Sequence, residues 1–338
     1  MDSLSIDSTG KLTKLLPFRI TFKSLKYLIL LASYSFLGYK LLTFHQYNDL
    51  AAQWKLMPLS RVWWLAGVFT LLPLNWYLES LKWKMLTAGV QEISTGTSVK
   101  AVLSGISTGF FTPNRVGELV GRIAFLEPGN RKAGITMSLV NSLTQNIVMA
   151  LCGVPACILF FILTTGNMQP EIIYFVWITL TGILILGLIY FTLPRWSRQL
   201  KTGRLSLSIR TFTDCLSGYT LKELLKIIGV SLMRYVVFCT QFYFMLRFFN
   251  IELTTFQAVI AIPTTYLFVT FTPSLAFSEA AVRSSYSVLV IGVFSGQVVN
   301  IALAGVCIWA INFILPMLLG SAFMIQKSEK EASILKQI

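Results

Sequence analysis

The chain has 338 residues, 55% hydrophobic and 12% charged, with 28 Lys and Arg against 14 Asp and Glu and a formal net charge of +14. Soluble domains carry about a quarter charged residues, whereas apolar stretches recur here from residue 24 to residue 325, so an ordinary soluble domain is excluded and an all-α polytopic membrane protein is indicated. The positive balance, with no RNA- or DNA-binding motif beside it, fits basic loops facing anionic lipid and excludes nucleic acid as the partner.

Residues 1–22 read as a cytoplasmic N-terminal tail. Lys11, Lys14, Arg19, Lys23 and Lys26 precede or open a long apolar run with no clear small-residue cleavage site after it, the pattern of a retained first span. Six full spans are predicted, at about 24–44, 61–86, 133–163, 171–193, 222–248 and 297–325. Each is long enough to cross roughly 30 Å of hydrocarbon at about 1.5 Å per residue. "RVWWLAG" (61–67) reads as an interfacial aromatic belt.

Two further apolar regions, about 98–126 and 256–294, are interrupted by Thr112-Pro113 and Thr272-Pro273. Thr followed by Pro is a helix-start signal, and Pro also tends to end a helix running into it. Each region therefore reads as helix, break, helix. The first is too short for two crossings and favours a re-entrant hairpin; the second has a longer second arm, and full spans remain open there. The segment between the second and third full spans holds Lys100, Arg115, Arg122, Arg131 and Lys132, with Lys82 and Lys84 just before it. The loop 194–221 holds Arg195, Arg198, Lys201, Arg204 and Arg210, the tail 327–338 holds Lys327, Lys330 and Lys336, and "TTGNMQPE" (164–171) holds no basic residue. Alternate loops are thus basic and neutral, with Lys55 and Arg61 a weak exception, and both termini come out cytoplasmic.

The interrupted regions share a motif: "FTPNRVGELVGR" at 111–122 and "FTPSLAFSEAAVR" at 271–283. Three full spans lie between the two copies, so the second enters from the opposite side of the membrane, as in inverted-repeat transporters. A helix starting at Thr112-Pro113 inside the membrane presents unpaired N–H groups and a partial positive charge, suited to a phosphate. Arg115 falls in its first turn, and Glu118 and Arg122, four apart, share a face; Glu279 and Arg283 repeat that spacing after Thr272. The candidate substrate-binding residues are therefore Thr112, Asn114, Arg115, Glu118, Arg122, Thr272, Glu279 and Arg283. They would form a polar pathway for a lipid headgroup, with the arginines on the phosphate. The glutamates would contact a cationic substituent, bind a proton or hold the arginines. A purely structural role for each Glu-Arg pair stays open.

Asn75 and Glu79 in the second span are intramembrane polar groups, as are Asn141, Gln145 and Asn146 in the third and Arg234 and Gln241 in the fifth. Interhelical hydrogen bonding explains such residues, and lining the same pathway is the sharper reading, taken here for Asn141, Gln145 and Arg234. The single histidine, His45, and five cysteines without a CxxC pair give no metal site and no Ser-His-Asp triad. No catalytic residue and no cofactor is predicted.

"STGFFTPNRVGELVGRIAFL" resembles the signature of the lysylphosphatidylglycerol synthetase transmembrane (flippase-like) family through Pro113, Arg115, Gly117, Glu118 and Arg122. "TPSLAFSEAAVRSSYSVLVIG" resembles the family's second signature through Pro273 and Glu279, with "LAF" in place of its glycines and Ser278 where an Arg usually precedes the Glu. The likeness covers about 20–325. It implies a flippase-like transmembrane domain over 23–326 in a bacterial cytoplasmic membrane, without the cytosolic synthetase domain, since about a dozen residues follow the last span. The function implied is a lipid translocator, not an enzyme, moving an anionic phospholipid or a polyprenyl-phosphate lipid between leaflets. The alternatives are a membrane-embedded enzyme acting on a lipid-linked substrate, with Glu118 and Glu279 as its acids, or a non-catalytic membrane partner holding a biosynthetic enzyme through the 194–221 loop.

Overall fold

The computed structural model describes residues 58–110, 112, 115–165, 170–200, 214–272 and 276–335. The N-terminal tail, the predicted span at 24–44, His45, Pro113, Asn114, Pro273 and most of the basic loop lie outside them. The described residues are helical, with no strand among them. In chain order the helices are α1 (Val62–Thr87), α2 (Thr95–Phe110), α3 (Gly117–Ile123), α4 (Arg131–Thr165), α5 (Pro170–Leu200), α6 (Leu221–Phe248), α7 (Thr255–Phe271), α8 (Ala276–Ile291) and α9 (Val298–Leu335).

Among the described residues, four helical stretches are long and apolar enough to cross a membrane: Pro128–Thr165, Trp177–Gln199, Leu221–Phe248 and Val298–Lys327. They coincide with four of the predicted spans. A fifth predicted span, α1, has 26 residues but carries Asn75, Glu79, Lys82 and Lys84 and is not among these four. The last helix runs to Leu335, about two and a half turns past the predicted boundary at 326. Two helices begin on reciprocal caps. Thr220 Oγ1 accepts the Glu223 N–H at 3.3 Å while the Glu223 carboxylate accepts the Thr220 N–H at 2.7 Å, and Thr254 with Gln257 does the same for α7. Thr254→Ala is expected to cost about 1 kcal/mol, read as a lowered unfolding midpoint of the purified protein in detergent.

Both interrupted regions are broken at the Thr-Pro steps, but the helices do not start there. In the first copy Thr112 and Arg115 close turns, Arg115 takes a left-handed φ of 57°, and the second helix begins only at Gly117. A non-glycine residue at positive φ cannot continue a helix, so the second arm shrinks to the 7 residues of α3. In the second copy Thr272 closes the incoming helix instead of opening the next. Its hydroxyl donates to the Phe268 carbonyl at 2.7 Å and meets the Tyr286 hydroxyl at 2.9 Å, and α8 starts at Ala276.

Glycines let α3 lie against α2. A Cβ on Gly105 would come within 2.8 Å of Arg122 Cγ, and one on Gly109 within 2.5 Å of Glu118 Cγ. On Gly117 and Gly121 a Cβ would collide with the Thr108 and Ser104 carbonyls of α2. The four glycines thus form two small-xxx-small faces, the arrangement that brings helix backbones close in a membrane. The contact is stitched by Thr108 Oγ1, which donates to the Gly117 carbonyl at 2.7 Å.

The remaining packing is reciprocal. Helices α1 and α6 pack on each other at the centre, α2 packs on α9, and α7 packs on α4. The second arm of each broken pair packs on the following long helix, α3 on α4 and α8 on α9. Helix α5 stands apart. Its apolar stretch is 11% buried against 44% for that of α4, and Tyr174, Trp177, Ile178, Leu184 and Leu188 are exposed, the surface of a helix set against lipid. Trp83, Leu86, Met137, Ile147, Tyr190 and Ile227 form the main buried apolar cluster, closed by the Tyr219 hydroxyl on the Leu86 carbonyl at 2.5 Å.

Candidate functional site

The centre of the site lies on α1. Asn75, Glu79 and Lys82 are spaced four and three apart, so they project from one helical face, and all three are buried. The Glu79 carboxylate is enclosed by cations from three helices. Its Oε2 lies 3.1 Å from Lys82 Nζ and 3.0 Å from Arg234 Nη1 of α6, and its Oε1 lies 2.7 Å from Arg122 Nη2 of α3. Asn141 of α4 donates to the same Oε1 at 2.8 Å.

The network continues toward the second copy of the motif. Arg122 Nη2 also reaches Glu118 Oε2 at 3.0 Å, and Glu118 Oε1 lies 3.9 Å from Arg115 Nη1. From Arg115 the chain crosses to the other broken region, where Nη2 donates to Glu279 Oε1 at 2.6 Å and to Oε2 as well. Arg283 closes it at 3.0 Å from Glu279 Oε1. The two Glu-x-x-x-Arg pairs of the repeat are therefore joined through one arginine, Arg115, whose guanidinium also lies 3.8 Å over the Phe313 ring of α9.

Neutral residues complete the inner end. Arg234 Nε donates to Asn75 Oδ1 at 2.9 Å, and Asn75 Nδ2 donates to Asn312 Oδ1 of α9 at 3.1 Å. Gln145 Oε1 accepts from Lys82 Nζ and Arg234 Nη1, each at 3.3 Å. Exposure falls inward: side-chain accessibility is 32% at Arg115, 22% at Glu118 and 17% at Arg234, against 4% at Arg122, 2% at Glu79 and 0% at Lys82. The network is thus accessible at Arg115 and Glu118 and again at Arg234, and closed at Lys82.

Two features give it a sign. Five cations (Lys82, Arg115, Arg122, Arg234, Arg283) are linked to three carboxylates (Glu79, Glu118, Glu279), an excess of two positive charges. Donors are also left over: Arg122 Nε and Nη1 and Arg283 Nε are buried without a hydrogen-bond partner. Buried guanidinium groups ordinarily find acceptors, and these three N–H groups have none among the described residues.

Of the residues singled out in the sequence, Arg115, Glu118, Arg122, Glu279, Arg283, Asn141, Gln145 and Arg234 meet in this network. Asn114 lies outside the described residues. Thr112 and Thr272 are committed elsewhere. The Thr112 hydroxyl accepts the Gly117 N–H at 2.7 Å and so satisfies the first amide of α3, while Thr272 bonds Phe268 and Tyr286. The first amide of α3 is therefore occupied within the chain. Gln241 donates to the Val68 carbonyl at 3.1 Å, tying α6 to α1, and Asn146 is exposed. The sequence reading missed Lys82 and Asn312 and gave Glu79 no place in the site; the spacing of Asn75, Glu79 and Lys82 on one face is the signal that marks them. Among the described residues no group of three or more His, Cys, Asp and Glu could hold a metal ion.

Long apolar helices around a buried, charged and hydrogen-bonded interior define a polytopic α-helical membrane protein. The chain belongs to the family described as lysylphosphatidylglycerol synthase TM region, which it matches over residues 25–320. No curated protein and no solved structure matches it.

Proposed function

We propose that this protein is a lipid translocator of the bacterial cytoplasmic membrane, which passes a phosphate-bearing lipid, a phospholipid or a polyprenyl phosphate, between leaflets. The headgroup moves along the network from Arg115 toward Arg122 and Arg234 while its acyl or prenyl chains stay in lipid. The observation that carries this reading is the two-cation excess in a buried network that includes both broken regions. A charge at the bilayer centre costs about 2.5–3.5 kcal/mol on insertion scales, and a merely structural network would be balanced. The family's own description names a phosphate-bearing lipid that also carries a cationic lysyl group, so it speaks for the phosphate alone.

The packing supports an inverted repeat of two re-entrant hairpins, and the alternation of basic and neutral loops supports termini on the cytoplasmic side. If α1–α4 is one half and α6–α9 the other, the contacts exchange under a two-fold operation: α2 on α9 matches α7 on α4, α3 on α4 matches α8 on α9, and α1 on α6 matches itself. Alternate access then consists of the broken pairs moving about the α1–α6 axis, with Arg115–Glu279 made in one state and parted in the other. In proteoliposomes carrying labelled phospholipids and polyprenyl phosphates, Arg115→Gln is expected to cut translocation at least tenfold. Its unfolding midpoint should stay near that of wild type, because Arg115 is the most exposed member of the network. Unchanged transport by Arg115→Gln would overturn the assignment of this path.

A further inference from the structure

The carboxylates decide which headgroups the network accepts. Glu79 is held by Lys82, Arg122 and Arg234, Glu118 by Arg122, and Glu279 by Arg115 and Arg283. Each carboxylate thus already faces at least one cation of the chain. Of the buried acceptors at the inner end that lack a hydrogen bond, Glu79 Oε2 is ion-paired to Lys82 and Arg234 and Asn141 Oδ1 is a neutral amide oxygen, while the unpartnered donors Arg122 Nε and Nη1 belong to a guanidinium that is 3% exposed. A cationic head would add to an existing excess of positive charge in a medium of low dielectric, where like charges repel strongly. An anionic head would neutralise that excess and take up the free N–H groups.

We propose that the network selects lipids by net headgroup charge, accepting a phosphomonoester or another anionic phosphate head without a cationic substituent, and rejecting zwitterionic and aminoacylated heads. The selection rests on reading the network as the headgroup site and adds the charge class of the substrate. Glu79 sets the selectivity by holding three cations at the deep end. Glu118 and Glu279 are engaged by the outer arginines, with which an amine would have to compete.

The test is equilibrium competition on the purified full-length protein in neutral detergent, with a fluorescent phosphatidic acid as probe. Unlabelled phosphatidic acid is expected to displace it at least tenfold more effectively than phosphatidylethanolamine or lysylphosphatidylglycerol, with phosphatidylglycerol between. Arg122→Gln should weaken probe binding at least tenfold. The wild-type ranking stands by itself if that variant does not fold. Equal or tighter binding of phosphatidylethanolamine or lysylphosphatidylglycerol would overturn the proposal. Inorganic phosphate or glycerol phosphate competing as well as phosphatidic acid would also overturn it and make a soluble phosphate the ligand. The same lipids in the proteoliposome assay separate the two readings. An anionic binding preference without translocation sinks the translocator alone, and translocation of the cationic lipid at the rate of the anionic one sinks the charge selection alone.

Discussion

Replacing Glu79 with alanine is expected to destabilise the protein by about 3–5 kcal/mol, the range for removing one partner of a buried ion pair. The reason is local crowding of like charge. Lys82, Arg122 and Arg234 all lie within 3.1 Å of this one carboxylate, in surroundings where Glu79 itself is 2% exposed. Without it three cations face each other with only Glu118, on Arg122, to offset them. The check is the unfolding midpoint in detergent together with the yield of monodisperse protein. A second substitution sharpens the test: adding Lys82→Met to Glu79→Gln removes one of the uncompensated cations and should recover part of the loss, a coupling visible in a double-mutant cycle. If Glu79→Ala leaves the midpoint unchanged, the cations are not held by this carboxylate and the network is not the fold's polar centre.

Gly121→Val is expected to be the most damaging single change on α3, at or above the upper end of the ~1–3 kcal/mol that overpacking a core costs. A side chain there meets the Ser104 carbonyl, the Thr108 hydroxyl and the Gly105 backbone at once, so neither a rotamer change nor a flexible neighbour can relieve it. The arm would be pushed from α2 and Arg122, the next residue, carried off Glu79. Transport and stability should therefore fall together, in contrast with Arg115→Gln. Gly182→Val in α5 is the control: it has open space around its Cα and should leave both readouts near wild type.

Much of this arrangement is visible in the sequence, for identifiable reasons. The described long helices follow the predicted spans because an apolar run of span length has few alternatives in a membrane. The breaks fall at the Thr-Pro steps because proline disfavours continuation, and the Glu-x-x-x-Arg spacings produce the pairs they imply. Two things are hidden. Helix starts depend on backbone geometry that residue type does not dictate: Arg115 turns left-handed and delays α3 to Gly117, and Thr272 caps backward where its sequence resembles a forward cap. The other is partnership across distance. Lys82 reads as a basic residue near a helix end beside Lys84, in keeping with the loop charges, yet it is fully buried on Glu79 while Lys84 bonds the Thr95 hydroxyl at the surface. Only the neighbouring helices separate the two lysines.

The reciprocal docking of broken pairs also constrains biosynthesis. The face of α2 is covered by α9, and 187 residues separate the end of one from the start of the other. At roughly 5–20 residues per second of elongation, the first arm waits on the order of 10–40 s before its partner exists. During that interval Arg115 and Arg122 sit beside the membrane without Glu279, so the nascent first half depends on Glu79, already made, to hold its charge. Final assembly is therefore a late event, set by the emergence of the last helix, and truncations inside α9 should strand the first half for quality-control proteolysis instead of leaving a smaller folded core.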